Sequence, residues 1–355
     1  MCGIAGILNL DGSPVNPGLL LPMTDAIAHR GPDGQGQWAE GPVGLGHRRL
    51  AILDLSEAGC QPMSTSHGRY TITYNGEVYN FRELRRELEN LGHKFHSHTD
   101  TEVILCAYTE WREKALDRFN GMFALAIWDN KRRELFLARD RYGIKPLYWA
   151  RKGAAFAFGS EIKAILAHPG FQTEIDEGAL LEYFTFQNYF TDRTLFRGMF
   201  LFPAGHWWKL SADSADESKP VQYWDFHFEE PANPAPKKEY IEELDRLFQQ
   251  AVRRQLVSDV EVGAYLSGGM DSGSITAIAA QEIPNIKSFT CGFDLHGVSE
   301  LEYGFDERGK AEYMSHIFQT EHYEIVLKAG DMERCLSEFA RHLEEPRVGQ
   351  SYPNW

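Results

Sequence analysis

Between residues 211 and 240 the chain reads SADSADESKPVQYWDFHFEEPANPAPKKEY, polar, proline-rich and without the periodicity of a helix or a strand. The rhythm differs on its two sides. Before it come many short apolar runs of strand type; after it helical and strand patterns alternate. The break predicts two domains, residues 1–210 and 237–355, joined by a linker at 211–236. A chain of 355 residues suffices for two separate cores.

In the first part CGIAGIL (2–8), VGLGHRRLAI (43–52), YTITYN (70–75), GMFALAIWD (121–129), ELFLARD (134–140) and AAFAFGS (154–160) read as strands, several buried on both faces. Two helices lie among them, at 80–92 and 100–112; Asn80 is a candidate N-cap of the first and Gly92 its stop. Strands clustered around two helices predict a layered α+β domain. In the second part helices at 239–256, 272–283 and 307–319 alternate with strands at 261–266, 286–293 and 322–327. That order predicts a parallel sheet with right-handed crossovers.

Composition excludes several classes. With 51 acidic against 36 basic residues the net charge is −15, so no basic face for nucleic acid is expected. No apolar run approaches the roughly 18 residues of a membrane span, and the N-terminus lacks the basic region of a signal peptide. Cys2, Cys60, Cys106, Cys291 and Cys335 are scattered without a CxxC pair, and no Asn-x-Ser/Thr acceptor occurs. The expectation is a reduced, cytoplasmic protein.

The most specific motif is YLSGGMDSGSITAIAA. A strand ends at Leu266, Ser267-Gly268-Gly269 turn, and a helix opens near Asp271-Ser272. Adjacent glycines let the backbone approach an anion closely, and a helix N-terminus directs free N–H groups at it. The loop lies at the carboxyl end of a parallel strand, where open sheets bind ligands. It resembles the pyrophosphate loop of the ATP pyrophosphatase superfamily, whose members form acyl-adenylates. The resemblance implies that Ser267, Gly268, Gly269 and Ser272 hold pyrophosphate and that Asp271 helps to ligate Mg²⁺. It also implies that Leu266 and Cys291, at the ends of adjacent strands, line the adenine site; Cys291 is equally compatible with a core thiol.

In the first part the chain opens with CGIAGI behind Met1. HRGPDG (29–34), HRRLAI (47–52), YNGEVYN (74–80) and HTDTEV (98–103) follow. With the pyrophosphate loop they resemble the glutamine-hydrolysing asparagine synthetases, class II glutamine amidotransferases with an N-terminal-nucleophile fold. GMFALAIWD, ARDRYGIKPLYW and SEIKAIL extend the resemblance along the whole chain. It implies an αββα sandwich followed by an α/β parallel-sheet ATP-pyrophosphatase-like domain that is incomplete, since the family continues past HLEEPRVGQSYPNW into a second acidic, glycine-rich loop.

Amide hydrolysis needs a nucleophile, a base and an oxyanion site. The resemblance assigns the thiolate to Cys2 and the base to the α-amine freed when Met1 is removed. The oxyanion hole falls to the Asn75 amide and the Gly76 N–H. Arg49 would clamp the α-carboxylate of glutamine, with Glu77 and Asp100 on its α-ammonium. Taken singly, Arg49 reads equally as a surface strand residue, Asp100 as a helix N-cap and Asn75-Gly76 as a hairpin turn. His29, His47 and His98 show no metal spacing and read as structural. The implied activity is an AMP-forming ligase that takes ammonia from glutamine and uses ATP and Mg²⁺ to convert aspartate to asparagine. The alternatives are a stand-alone amidotransferase subunit and a related synthetase acting on another carboxylate. A non-catalytic interaction protein conflicts with the intact motifs. The partners expected are small molecules, with no nucleic acid or membrane; a homodimer stays open.

Overall fold

The computed structural model describes residues 1–213, 218–294, 306–328 and 330–346. They form two units, divided between His227 and Phe228. The strands of the first unit are β1 Gly3–Asn9, β2 Gly34–Glu40, β3 Val43–Arg49, β4 Met63–Ser64, β5 Tyr70–Val78, β6 Gly121–Asp129, β7 Glu134–Arg139, β8 Tyr148–Lys152, β9 Ala155–Gly159, β10 Met199–Leu201, β11 His206–Ser211 and β12 Val221–Gln222. Its helices are α1 Leu20–Asp25, α2 Phe81–Asn90, α3 Asp100–Trp111, α4 Ala115–Arg118, α5 Ile162–Leu166 and α6 Glu177–Phe186.

The strands build two six-stranded sheets, ordered β10-β8-β9-β1-β3-β2 and β12-β11-β7-β6-β5-β4. Side chains alternate across each strand, and this alternation stacks the sheets. From β1, Ile4 and Leu8 enter the core between the sheets, where they meet Ala124, Ala126 and Trp128 of β6. Ala5 and Ile7 of β1 point the other way, onto Leu20 and Met23 of α1 and Ile162 and Ile165 of α5. On the outside of the second sheet Tyr108 of α3 packs edge-on to Tyr70 and tilted against Phe136. The layers are therefore helix, sheet, sheet, helix, the expected αββα sandwich. Fully burying one large apolar side chain such as Trp128 contributes about 1.5–3 kcal/mol, and the strands read as apolar runs because both faces are covered.

Two details differ from the sequence reading. Val221–Gln222 pairs with β11 through Trp207↔Val221, so the sheet reaches into the 211–236 segment read as a linker. Asn80 precedes α2 without capping it; its side chain instead bonds the Arg118 carbonyl and the Asn120 N–H.

The second unit holds α7 Lys237–Gln255, β13 Gly263–Tyr265, α8 Met270–Glu282, β14 Lys287–Phe293, α9 Arg308–Phe318, β15 Glu321–Leu327 and α10 Asp331–Leu343. Its three strands pair in parallel in the order β13-β14-β15, as the alternation predicts. A small core of Val252, Ile278, Ala279 and Ile286 joins α7 and α8 to the sheet. No helix among the described residues is long and apolar enough to cross a membrane.

Candidate active site

Four elements of the first unit converge on a cavity of about 410 Å³. The N-terminal end of β1 brings Cys2, the end of β3 brings Arg49, β5 brings Asn75, Gly76 and Glu77, and the first turn of α3 brings Asp100. All six line the same space.

Cys2 is half-buried. Its Sγ accepts from the Leu50 N–H at 3.4 Å and faces the Leu50 carbonyl at 3.6 Å, so the chain just beyond β3 fixes the thiol. Burial pushes the thiol pKa up, opposed by the Leu50 N–H and by the N-terminal ammonium. The N-terminal amine is pushed down by burial, opposed by Cys2 and helped by Arg30 and Lys145. This amine is that of Met1; burial beside Cys2 disfavours the charged form of an amine held there. Arg30 donates from Nε to the Cys2 carbonyl at 3.0 Å and from Nη1 to Glu161 at 2.7 Å, tying down the chain start.

Asn75 and Gly76 lie inside β5, opposite Ala124 and Phe123 of β6, and not in a hairpin turn. Asn-Gly is tolerated there because the neighbouring strand passes very close: a Cβ on Gly76 would sit 2.2 Å from the Met122 carbonyl oxygen. The Tyr74 N–H donates to Gln61 Oε1 at 2.7 Å and the Val78 N–H to Asp100 Oδ2 at 2.9 Å. Because N–H groups alternate along a strand, the Gly76 N–H between them also points away from β6, on the cavity side. Asn75 is 1% exposed, and its Nδ2 has no hydrogen-bond partner among the described residues. An unsatisfied buried amide costs about 1–3 kcal/mol. The Asn75 amide, without a partner among the described residues, and the Gly76 N–H thus face one cavity, the arrangement an oxyanion requires.

Arg49 is buried, not a surface strand residue. Nη1 donates to the Ser56 carbonyl at 2.8 Å, and Nη2 donates to the Asp54 and Leu53 carbonyls. The guanidinium rests on Gly59, where a Cβ would come within 2.2 Å of Nη2. Thr99, not Asp100, caps α3, its Oγ1 accepting from the Glu102 N–H at 3.2 Å. Asp100 is thereby free to accept the Tyr74 hydroxyl at 2.7 Å. Burial raises the Asp100 carboxyl against these donors. Burial and Asp100 together raise Glu77, with Lys145 opposing. The three histidines have no common site. His29 meets Glu161 at 2.9 Å, buried His47 meets the Tyr74 carbonyl at 3.1 Å, and the His98 N–H meets Asp54.

In the second unit β13 runs into Leu266, whose N–H donates to the Phe289 carbonyl of β14 at 2.9 Å. Gly269 is the N-cap of α8, and the first intrahelical bond there runs from the Gly273 N–H to the Gly269 carbonyl, leaving the N–H groups of 270–272 ahead of the ladder. Ser267 and Ser272 close the loop with their hydroxyls 2.8 Å apart, and the Gly269 N–H donates to Ser267 Oγ at 3.1 Å. A Cβ on Gly268 would come within 2.6 Å of Lys310 Cδ. Asp271 is exposed in the first turn, and half-buried Cys291 lies on β14 two residues beyond Phe289, whose carbonyl accepts the Leu266 N–H. Glycines, free N–H groups and one exposed carboxylate fit a nucleotide phosphate chain carrying Mg²⁺, which takes one or two carboxylates plus phosphate oxygens.

The Glutamine amidotransferase domain family matches residues 1–224, and the Asparagine synthase family matches residues 243–355. Asparagine synthetase [glutamine-hydrolyzing] 3 of Bacillus subtilis is 38% identical over 99% of this chain and 57% of its own length. Asparagine synthetase [glutamine-hydrolyzing] 1 of the same organism is 36% identical over 85% of this chain and 47% of its own. A relative in Methanocaldococcus jannaschii, again described as a glutamine-hydrolysing asparagine synthetase, is 33% identical over 98% of this chain and 68% of its own. The chain belongs to the glutamine-hydrolysing asparagine synthetase family. It spans about half the length of the Bacillus relatives it matches.

In this synthetase-family chain Arg30, Gln61, Tyr74 and Lys145 also hold the site, and the sequence assigns none of them a role. Arg30 stands inside the quoted HRGPDG and Lys145 inside ARDRYGIKPLYW, so the signal was present as a motif without a role. Tyr74 likewise opens the quoted YNGEVYN, whereas Gln61 lay in no motif, because it works by holding the Tyr74 N–H in three dimensions.

Proposed function

We propose that the first unit hydrolyses glutamine to glutamate and ammonia at Cys2, and that the second uses ATP to activate a carboxylate, the β-carboxylate of aspartate, which ammonia converts to asparagine. The observation carrying the first half is the orphaned Asn75 amide in a cavity that also holds the Cys2 thiol.

In this reading Met1 is removed and the Cys2 α-amine takes the Sγ proton as sulfur attacks the amide carbon. The charge on the amide oxygen falls to Asn75 Nδ2 and the Gly76 N–H. The amine hands its proton to the departing ammonia, leaving a γ-glutamyl thioester that water cleaves. Arg49 holds the α-carboxylate of glutamine, and Glu77 with Asp100 its α-ammonium. In the second unit Ser267, Gly268, Gly269 and Ser272 hold the pyrophosphate of ATP, and Leu266 and Cys291 flank the adenine. Asp271 would carry Mg²⁺, which supplies charge neutralisation between the phosphates. The carboxylate displaces pyrophosphate at the α-phosphorus, and ammonia then displaces AMP.

The test is Cys2→Ala. Glutamate release should fall to background with the melting temperature kept within about 2 °C, as for a half-buried side chain losing one sulfur. Undiminished turnover would remove the nucleophile from the scheme.

A further inference from the structure

Lys145 takes no part in the hydrolysis as derived above, yet its backbone is clamped from both sides. The fully buried Asp140 accepts four backbone N–H groups. Tyr142 and Ile144 donate to Oδ1 at 3.1 and 3.0 Å; Phe123 and Lys145 donate to Oδ2 at 3.1 and 3.0 Å. Arg139, also buried, donates to three carbonyls: Lys145 at 2.7 Å, Phe202 at 2.6 Å and Gly143 at 2.6 Å. Gly143, at φ +65°, lets the loop fold back on itself. Asp140 thus holds the N–H of Lys145 and Arg139 its carbonyl. The ammonium is delivered into the cavity wall with the residue only 6% exposed.

That ammonium is poorly served there. The acceptor of its Nζ is the thioether of Met1, at 3.5 Å. A thioether is a weak acceptor, and a buried cation so partnered is costly to keep. The Met1 side chain leaves when the chain start is processed, whereas Arg139 and Asp140 stay. With Met1 gone, a lysine whose backbone is held this firmly is left facing the Cys2 thiol and its new α-amine.

The charged surroundings are a short set. The chain terminus faces Arg30, Asp33, Lys145 and the Cys2 thiol. The thiol faces Lys145, Asp100 and the terminal amine, and Lys145 faces Glu77 of β5, Arg30, Cys2 and Asp140. Arg30 is engaged by Glu161 and the Cys2 carbonyl, whereas among the described residues the Lys145 ammonium has no carboxylate hydrogen bond.

We propose that Lys145 is a positioning residue for glutamine hydrolysis, its fixed ammonium keeping the α-amine of processed Cys2 in the neutral base form and favouring the thiolate as it develops. The inference rests on the glutaminase reading above. The proton moves from Sγ to the α-amine and then to ammonia, and Lys145 takes no part in the transfer; burial lowers the pKa of its ammonium, opposed by Glu77 and Cys2. A positive charge at this range lowers the pKa of both groups, because each is then deprotonated next to a cation.

The test uses the full chain, with Met1 removal verified by mass, as wild type, Lys145→Met, Lys145→Gln and Lys145→Arg. Iodoacetamide alkylation of Cys2, followed on the N-terminal peptide, and kcat and KM for glutamine are measured across about pH 6 to 9.5, spanning the amine and thiol ranges. Both neutral variants should raise the alkylation midpoint and the acidic limb of kcat by about one pH unit. That lowers kcat near pH 7 about tenfold with KM within about twofold, while Lys145→Arg keeps the wild-type midpoints. Unchanged midpoints with a raised KM would make Lys145 a substrate contact and overturn the proposal. So would a midpoint shift in Lys145→Arg equal to that in Lys145→Met, or loss of the melting transition in both neutral variants, since packing would then explain the residue. Absence of glutamate release and of alkylation at Cys2 in the wild type would instead overturn the glutaminase reading itself.

Discussion

Asn75 and Arg49 face the same cavity but are held in opposite ways, and their substitutions should therefore fail differently. The Asn75 Nδ2 has no acceptor among the described residues, whereas the Arg49 guanidinium is spread over the Ser56, Asp54 and Leu53 carbonyls. If Asn75 acts only on charge that develops during attack, Asn75→Ala should lower kcat about 10²–10³-fold with KM nearly unchanged. Since it deletes an unsatisfied buried group, it should leave the melting temperature unchanged or slightly higher. Arg49→Ala should instead raise KM, by the equivalent of about 1.5–3 kcal/mol for a charge-assisted contact. It should also lower the melting temperature, because three carbonyls lose their donor. Steady-state kinetics with thermal melts separate the two; a KM effect at Asn75 equal to that at Arg49 would remove it from the oxyanion role.

At the scale of elements, the site depends on two strands from different sheets staying in register. β3, carrying Arg49, and β5, carrying Asn75, are pinned by the Thr73 hydroxyl on the Gly46 carbonyl at 3.0 Å and by His47 on the Tyr74 carbonyl at 3.1 Å. Burial drives the pKa of His47 down to about 3, against the Tyr74 carbonyl and with help from the Arg49 charge. Its folded pKa lies below the unfolded value, so between the two the unfolded state binds the extra proton. Stability from this group is complete above about pH 6.5 and is lost as pH falls toward 3, at up to about 1.4 kcal/mol per pH unit. Urea unfolding at pH 7, 6 and 5 should show that slope, and His47→Gln should flatten it over the same window. An unaltered slope in the variant would place the acid sensitivity elsewhere. The elements differ in how visible they are in sequence. β1 and β6 are legible because both faces are covered and the run is apolar throughout. β2, GQGQWAE, is invisible because it lies partly exposed at the end of its sheet and alternates with glycine. β5 is legible only to Asn75, since Asn-Gly signals a turn and nothing local announces that β6 passes within a Cβ radius of Gly76. The loop that presents Lys145 is set by side chains bonding backbone, which no periodicity encodes.

At the scale of the molecule, the two units place unequal demands on folding. The first has two buried sheets with helices outside each, and every residue assigned to glutamine hydrolysis, together with the whole lining of the cavity, comes from residues 1–145. The second rests on the few residues around Val252 and Ile278, with Ile325 of β15 61% exposed. A catalytic constellation held wholly within one core should not require the other core to be folded. Residues 1–227, ending where the first unit ends, should therefore fold cooperatively and hydrolyse glutamine with kcat and KM each within about threefold of the full chain, a difference of less than about 0.7 kcal/mol. The length matters, because β12 at 221–222 closes the edge of the second sheet against β11, and a cut at 210 would strip it and expose β11. The measurement is glutamate release by both lengths of fragment and by the full chain, with thermal melts of each. The 1–210 fragment should melt lower than 1–227. Loss of turnover in 1–227 with its melting transition intact would show that the second unit contributes to the glutamine site.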